Sequence, residues 1–207
     1  VVIAVALFFS YTNGFHDAAN AIATSVSTRA WTPRAALLMA AAMNVIGAMM
    51  GTAVAKTVGK GIISISDYAE SPMQEMQQKG LVIILAALLG ACIWNLITWW
   101  FGLPSSSSHA LIGGMVGAGL MSGTVVHWWG IMSHVVIPMF ASPIIGFVIG
   151  YIAMKIVLWA LRKAQYHRTM RRFRAAQRFS SAAMALGHGI QDAQKTMGII
   201  VMALLAG

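Results

Sequence analysis

The stretch SYTNGFHDAANAIATS, residues Ser10–Ser25, places polar side chains inside an otherwise apolar part of the chain. Residues 1–9 before it are apolar, and Ala, Ile and Val dominate its second half. Four amide, imidazole or carboxylate side chains interrupt the pattern: Asn13, His16, Asp17 and Asn20. A charged side chain within a bilayer is costly, and it usually marks a functional site. We therefore expect such a site here, on a helix that is interrupted around Gly14.

The composition of the whole chain indicates an all-α integral membrane protein. Of the 207 residues, 58% are hydrophobic and 9% are charged, and the mean hydropathy is +0.74. Soluble domains carry about 25% charged residues. The single cysteine, Cys92, cannot form an intrachain disulfide and says nothing about compartment. The sequence opens with Val1 inside an apolar run, so we expect the native chain to extend before it.

Five apolar stretches are predicted as membrane spans, because a spanning helix needs about 20 mostly apolar residues. The first is partial, and the fourth is short and rich in glycine. The spans lie near residues 1–26, 36–54, 81–101, 110–126 and 137–161.

A basic segment, residues 162–178, orients these spans. It holds half of all the Lys and Arg residues and no acid, and short loops rich in these residues remain in the cytoplasm. We expect a multi-pass protein of the plasma or inner membrane, with residues 162–178 as a cytoplasmic loop and residues 52–80 outside. The net charge of +9 then reflects topology and attraction to anionic lipid headgroups. Nucleic-acid binding is disfavoured because no base-reading module accompanies the charges.

A second stretch near the end of the chain repeats the first motif. Residues 13–21, NGFHDAANA, align with residues 188–196, HGIQDAQKT, at a spacing of 175 residues. Glycine then pairs with glycine, and Asp17 pairs with Asp192. Five predicted spans separate the two copies, so the second copy enters the membrane from the opposite side. Inverted repeats of this kind are typical of secondary transporters, whose sites lie at the repeat interface near the midplane.

This symmetry predicts the domain organisation. Residues 1–161 form a first transmembrane repeat, and residues 179–207 begin a second, inverted one. Because repeats come as wholes, we expect a protein of roughly 350 residues or more. The predicted fold is that of an inverted-repeat secondary transporter with broken or re-entrant helices.

Asp17 and Asp192 are the acids that lie within apolar segments, whereas the other three acids lie between residues 52 and 80. Either each carboxylate braces a broken helix, or the two bind a cation or protons. Their repeat-related positions favour the second interpretation. Three nearby amides are expected to assist them: Asn13, Asn20 and Gln191.

The segment LPSSSSHALIGG, residues 103–114, is the third polar element. Pro104 cannot continue an incoming helix, but it suits the first turn of a new one. Ser105, Ser106, Ser107 and Ser108 offer hydroxyls and free backbone N–H groups at a helix start, which is an arrangement that binds anions. Four consecutive serines favour a re-entrant substrate loop over residues 103–109 rather than a simple N-cap.

Four further residues in these motifs carry open alternatives. Lys195 shares a helix face with Asp192, so it either pairs with that acid or contacts an anion. His16, His109 and His188 either relay protons, because histidine titrates near neutral pH, or donate hydrogen bonds as neutral side chains.

Three motifs together resemble the inorganic phosphate transporter family, the PiT group. They are NGFHDAANA (13–21), GLPSSSSHALIG (102–113) and GHGIQDAQKTMG (187–198). The resemblance implies inverted repeats, each with an Asn/Asp signature and a Ser/Thr-rich loop. It also implies transport of phosphate, or of sulfate in some relatives, coupled to Na⁺ or H⁺ without any cofactor. Partners would be phosphate, membrane lipids and, as an open option, a second copy in a homodimer.

Two departures from the family pattern bear on the coupling ion and on the site. Many members carry Asn just before the signature Asp, where this chain has His16 and Gln191. Imidazole suits Na⁺ poorly, which tilts the expectation towards proton or metal–phosphate coupling, with Na⁺ at Asp17 and Asp192 kept as an option. The second Ser/Thr-rich loop is missing from these 207 residues.

Two other classes of protein are alternatives. An intramembrane serine hydrolase would use Ser108 or a neighbour, His109 and Asp17. It is disfavoured because adjacent Ser and His point poorly for nucleophile and base, and because no GxSxG elbow is present. A channel with a serine-lined filter is the other alternative, and uphill, saturable uptake would exclude it.

Overall fold

A computed structural model describes residues 1–50 and 74–205 of the chain, without the side chains of Met202 and Leu205. Residues 51–54 of the second predicted span, most of the expected outside segment 52–80 and residues 206–207 lie outside the described residues. The described elements are helical, as the composition predicts.

The first two helices form a hairpin. Helix α1 covers Val2–Ser27 and α2 covers Pro33–Met49. Thr32 caps α2 by accepting a hydrogen bond from the Ala35 N–H, and Pro33 occupies its first turn, where a missing N–H costs nothing. Arg178, from the last helix of the chain, donates from Nε to the Ala30 carbonyl at 2.7 Å and so fixes the turn between the two helices.

The expected interruption of α1 around Gly14 is wrong, because the helix runs unbroken through that residue. Glycine in a helix interior costs only about 1 kcal/mol relative to alanine. The residues from Thr12 to Asp17 have only weak helix propensity, so packing against other helices stabilises the element there.

A second hairpin carries the Ser-rich segment at its tip. Helix α3 covers Gln74–Trp100 and α4 covers Ser107–Ser122. Between them, Gly102 takes a left-handed φ of 63°, which glycine adopts without steric cost. Gly114 lies against the Ala87 backbone carbonyl, so α3 and α4 pack closely.

A long apolar element follows. A short helix, α5 (Trp128–Ile131), continues through a π-helical turn (Met132–Val136) into α6 (Ile137–Leu161). Within the described residues, Gln74–Trp100 and Trp128–Leu161 are long and apolar enough to cross a membrane, and Pro33–Met49 is apolar but shorter. The large apolar side chains along α6 are exposed, as lipid-facing side chains would be.

The last helix, α7, covers Tyr166–Leu205. The expectation of a basic loop over residues 162–178 is therefore wrong from residue 166 onward. Arg, Gln and Ala favour helices, and no Gly or Pro interrupts the sequence between Tyr166 and Leu186. The second motif is likewise helical and unbroken, rather than part of a broken helix.

Helices α1 and α7 pack antiparallel at the centre of the molecule. Ser10 lies beside Thr196 and Asn13 beside Asp192, whereas Gln177, at the other end, bonds to Thr24. Helix α2 packs on α7 through Gly47 and other small residues, and an apolar core joins α1, α3 and α4. The two repeat-related motifs thus face each other.

Candidate functional site

A cavity of about 350 Å³ lies between α1, α2 and α7. Its polar lining comes from α1, from α7 and from one residue of α2. Those residues are Ser10, Asn13, Asp17, Asn44, His188 and Asp192. Apolar and small side chains form the rest of the lining. The Asp17 and Asp192 side chains are only 15% and 14% exposed, so the acids are largely buried in this pocket.

The two motifs contact each other across this cavity with approximate two-fold symmetry. Asn13 of the first motif donates from Nδ2 to Asp192 Oδ2 at 3.3 Å. His188 occupies the equivalent position in the second motif, and its Nε2 atom lies 3.7 Å from Asp17 Oδ2. Each motif therefore reaches the carboxylate of the other.

His188 is held in one orientation by a residue that sequence reasoning missed. Its Nδ1 atom donates to Asn44 Oδ1 at 2.8 Å, and the Asn44 amide donates to the Ala40 carbonyl at 2.8 Å. The Nε2 atom then points to the acids, and it lies 2.9 Å from Asp192 Oδ2. The signal for Asn44 was present in the sequence, as a single amide within the apolar second span.

These groups form a potential cation or proton site. One ligand atom from each of Asp17, His188 and Asp192 lies within 4.8 Å of the others. The Oδ1 atom of Asn13 is buried and has no hydrogen-bond partner, and His188 Nε2 lacks the alignment of a hydrogen bond. A proton on Nε2, or a cation bound by carboxylate and amide oxygens, would use these unpartnered atoms.

Lys195 joins the acid site to the Ser-rich segment. Its Nζ atom donates to Asp192 Oδ1 at 2.6 Å and also contacts Ser108 Oγ. Both alternatives raised for Lys195 are thus compatible with its position, since one ammonium group carries three donors.

The four serines have different surroundings. Ser105 accepts a hydrogen bond from the Trp94 indole, and Ser106 caps α4 by accepting from the His109 N–H. Ser107 is buried, and its hydroxyl has no partner. Since Trp99 packs on Phe15 at a ring distance of 5.4 Å, the tip of this hairpin lies beside the middle of α1.

The remaining predicted residues lie around this centre. Asn20 donates to Asp17 Oδ1 at 3.1 Å. His16 faces α3 instead, where its Nε2 atom lies 3.2 Å from both the Asn95 carbonyl and the Thr98 hydroxyl. His109 and Gln191 are exposed. Among the three histidines, the structure brings His188 to the two acids.

Comparison with a solved structure identifies the fold. The fold matches a solved structure described as the sodium-dependent phosphate transporter, with a TM-score of 0.78 and 22% identity over 98% of this chain and 67% of that one. The chain therefore shares the all-α fold of that structure.

The sequence then defines the family. A family model described as the phosphate transporter family matches residues 13–206, and the chain belongs to this family, which comprises transporters rather than enzymes. It is 55% identical to a probable low-affinity inorganic phosphate transporter of Streptomyces halstedii, over 92% of this chain and 85% of that protein.

Longer relatives show how much of a protein this chain spans. It is 44% identical to a probable low-affinity inorganic phosphate transporter of Bacillus subtilis, over 99% of this chain and 59% of that protein. For the low-affinity inorganic phosphate transporter PitA of Escherichia coli, the identity is 34% over 99% of this chain and 45% of that protein. The chain thus spans about half the length of these two relatives.

Proposed function

We propose that the protein carries inorganic phosphate across the plasma or inner membrane, coupled to H⁺ or Na⁺. The observation that carries this proposal is the pairing of Asp17 and Asp192 across α1 and α7, with Lys195 linking that pair to Ser108. The names of the relatives support phosphate as the substrate. Sulfate, carried by some members of the family, is the alternative anion.

Coupling follows from the charge of the site. Phosphate is an anion, and Asp17 and Asp192 add negative charge in a partly buried cavity. Like charges repel strongly where the dielectric constant is low. A cation or proton must therefore reach the acids before phosphate binds stably. The bound cation and the bound phosphate then shift the equilibrium between the inward- and outward-facing states, because each binds one of these states more tightly than the other.

The start of α4 is the proposed phosphate site. The free N–H groups of its first turn and the hydroxyls of Ser105–Ser108 are donors that suit a phosphate oxygen. Lys195 adds a positive charge beside Ser108. The coupling ion belongs at the acids, which the Lys195 ammonium links to Ser108, and Asn13, Asn20 and His188 contribute polar atoms there.

The protein's environment follows from its surface. The exposed apolar side chains of α6 contact lipid or other protein within the bilayer. The basic segment 162–178 faces the cytoplasm in this proposal, and its charges attract anionic headgroups. A homodimer remains a prediction for the assembly.

Radiolabelled phosphate uptake into proteoliposomes of the full-length protein tests this function. We expect saturable uptake that follows a Na⁺ or pH gradient uphill when the two gradients are varied separately. Protein-free vesicles are the control, and added sulfate tests the choice of anion. Uptake that never exceeds the phosphate gradient would indicate a channel and contradict the proposal.

A further inference from the structure

The two motifs match in geometry but differ in charge at one position. The spacing of 175 residues pairs Asn20 with Lys195. Asn20 donates to Asp17 Oδ1 at 3.1 Å, and Lys195 donates to Asp192 Oδ1 at 2.6 Å. In both cases the donor lies three residues after the acid on the same helix. In the first motif the acid thus accepts a hydrogen bond from a neutral amide, whereas in the second it accepts one from a fixed cation.

The cross-motif contacts follow the same pairing. Asn13 reaches Asp192, and its equivalent His188 reaches Asp17. The site therefore consists of two equivalent halves. The carboxylate of the second half already has an ammonium group at 2.6 Å, and the partner of Asp17 at the equivalent position carries no charge. Asp17, Asp192 and Lys195 sum to one uncompensated negative charge, which a proton on His188 Nε2 or a bound cation would neutralise.

We propose that Lys195 is a tethered substitute for one coupling cation, so that the transporter moves one mobile cation with each phosphate, bound on the Asp17 side. A second cation at Asp192 would lie beside the Lys195 ammonium and be repelled by it. Because Lys195 also contacts Ser108, the same fixed charge faces the anion. This inference rests on the proposed function. It gives the number of cations that move with each phosphate and names Lys195 as the residue that sets this number.

The ratio of coupling cations to phosphate in proteoliposomes of the full-length protein tests this inference. The ratio is obtained from the cation gradient that balances a known phosphate gradient at fixed membrane potential. We expect a ratio of one for the wild type. Lys195→Asn restores the residue of the first motif, and we expect it to raise the ratio to two. Lys195→Arg keeps the charge and should keep a ratio of one.

A ratio of two in the wild type, or an unchanged ratio in K195N, would overturn the inference. If K195N shows no uptake, the double variant N20K/K195N tests the inference instead, because it moves the tethered cation from the second motif to the first. Restored uptake at a ratio of one supports the proposal, and absence of restoration contradicts it. Absence of gradient-driven uptake in the wild type would instead reject the proposed function itself.

Discussion

At the scale of single residues, the site depends on how His188 is held. Its Nδ1 atom bonds to Asn44, which leaves Nε2 facing Asp17 and Asp192. Without that bond, the imidazole could rotate or change tautomer, and its position relative to the acids would no longer be defined. Asn44 is thus a positioning residue, because it acts on the acids through the histidine.

Asn44→Ala tests this role. Loss of one hydrogen bond to the imidazole, worth about 0.5–1.5 kcal/mol, should raise the half-saturating concentration of the coupling cation roughly 2- to 10-fold. Gradient-driven phosphate uptake, measured against cation concentration, gives this value. Val45→Ala, at an exposed neighbour on the same helix, is the control. Equal cation dependence in the two variants would contradict the role of Asn44.

The sequence allowed the acids and their symmetry to be predicted, because carboxylates in apolar segments are rare and the two copies share Gly and Asp. The role of Asn44 was not predicted, because a single amide in an apolar span has no recognisable partner until the packing of α2 on α7 is known. His16 was placed with the acids by its position beside Asp17. Successive residues of a helix point in different directions, however, and its ring faces α3.

At the scale of elements, close helix crossings position the motifs. A side-chain carbon at Gly47 would meet the backbone of Leu186 and Ile190, and one at Gly189 would meet the backbone of Asn44. Helices α2 and α7 therefore touch through their main chains. The glycines in the two motifs did not indicate that α1 and α7 are continuous helices. Gly189 allows α7 to pack closely on α2, and it does not break α7.

Gly189→Ala and Gly14→Ala, at repeat-equivalent positions, separate these two roles of glycine. The first adds a methyl group against the Asn44 backbone, and such overpacking should lower the free energy of unfolding by about 1–3 kcal/mol. The second meets nothing within 4 Å, and it should be neutral or stabilise the helix by up to about 1 kcal/mol. Thermal unfolding in detergent measures both. A destabilised Gly14→Ala variant would indicate that α1 needs a break there.

At the scale of the whole molecule, repeat symmetry organises the contacts of α1 with α7. Ser10 and Thr196 lie 3.2 Å apart between hydroxyls, and their repeat equivalents, Ala185 and Ala21, share a buried cluster. Such paired contacts are expected when two antiparallel helices are related by a two-fold axis, and they support the predicted inverted repeat.

Disulfide cross-linking tests this arrangement. In a Cys92→Ser background, we expect rapid oxidation of Ser10→Cys paired with Thr196→Cys, and of Ala21→Cys paired with Ala185→Cys, because disulfides need closely apposed backbones. Ser10→Cys paired with Ala185→Cys is the mismatched control. Cross-linking in the mismatched pair at the rate of the matched pairs would contradict the antiparallel register. Electrophoretic mobility before and after reduction provides the readout.

The central claim is that Asp17 and Asp192 form the negatively charged site that a coupling cation must neutralise before phosphate is transported. Gradient-driven uptake of radiolabelled phosphate by Asp17→Asn and Asp192→Asn variants of the full-length protein tests it most directly. A charged hydrogen-bonding group contributes about 1.5–3 kcal/mol, so uptake at limiting cation should fall roughly 10- to 100-fold in each. Glu75→Gln, at an exposed acid outside the motifs, should match the wild type. Normal coupled uptake in both Asp variants would contradict the claim.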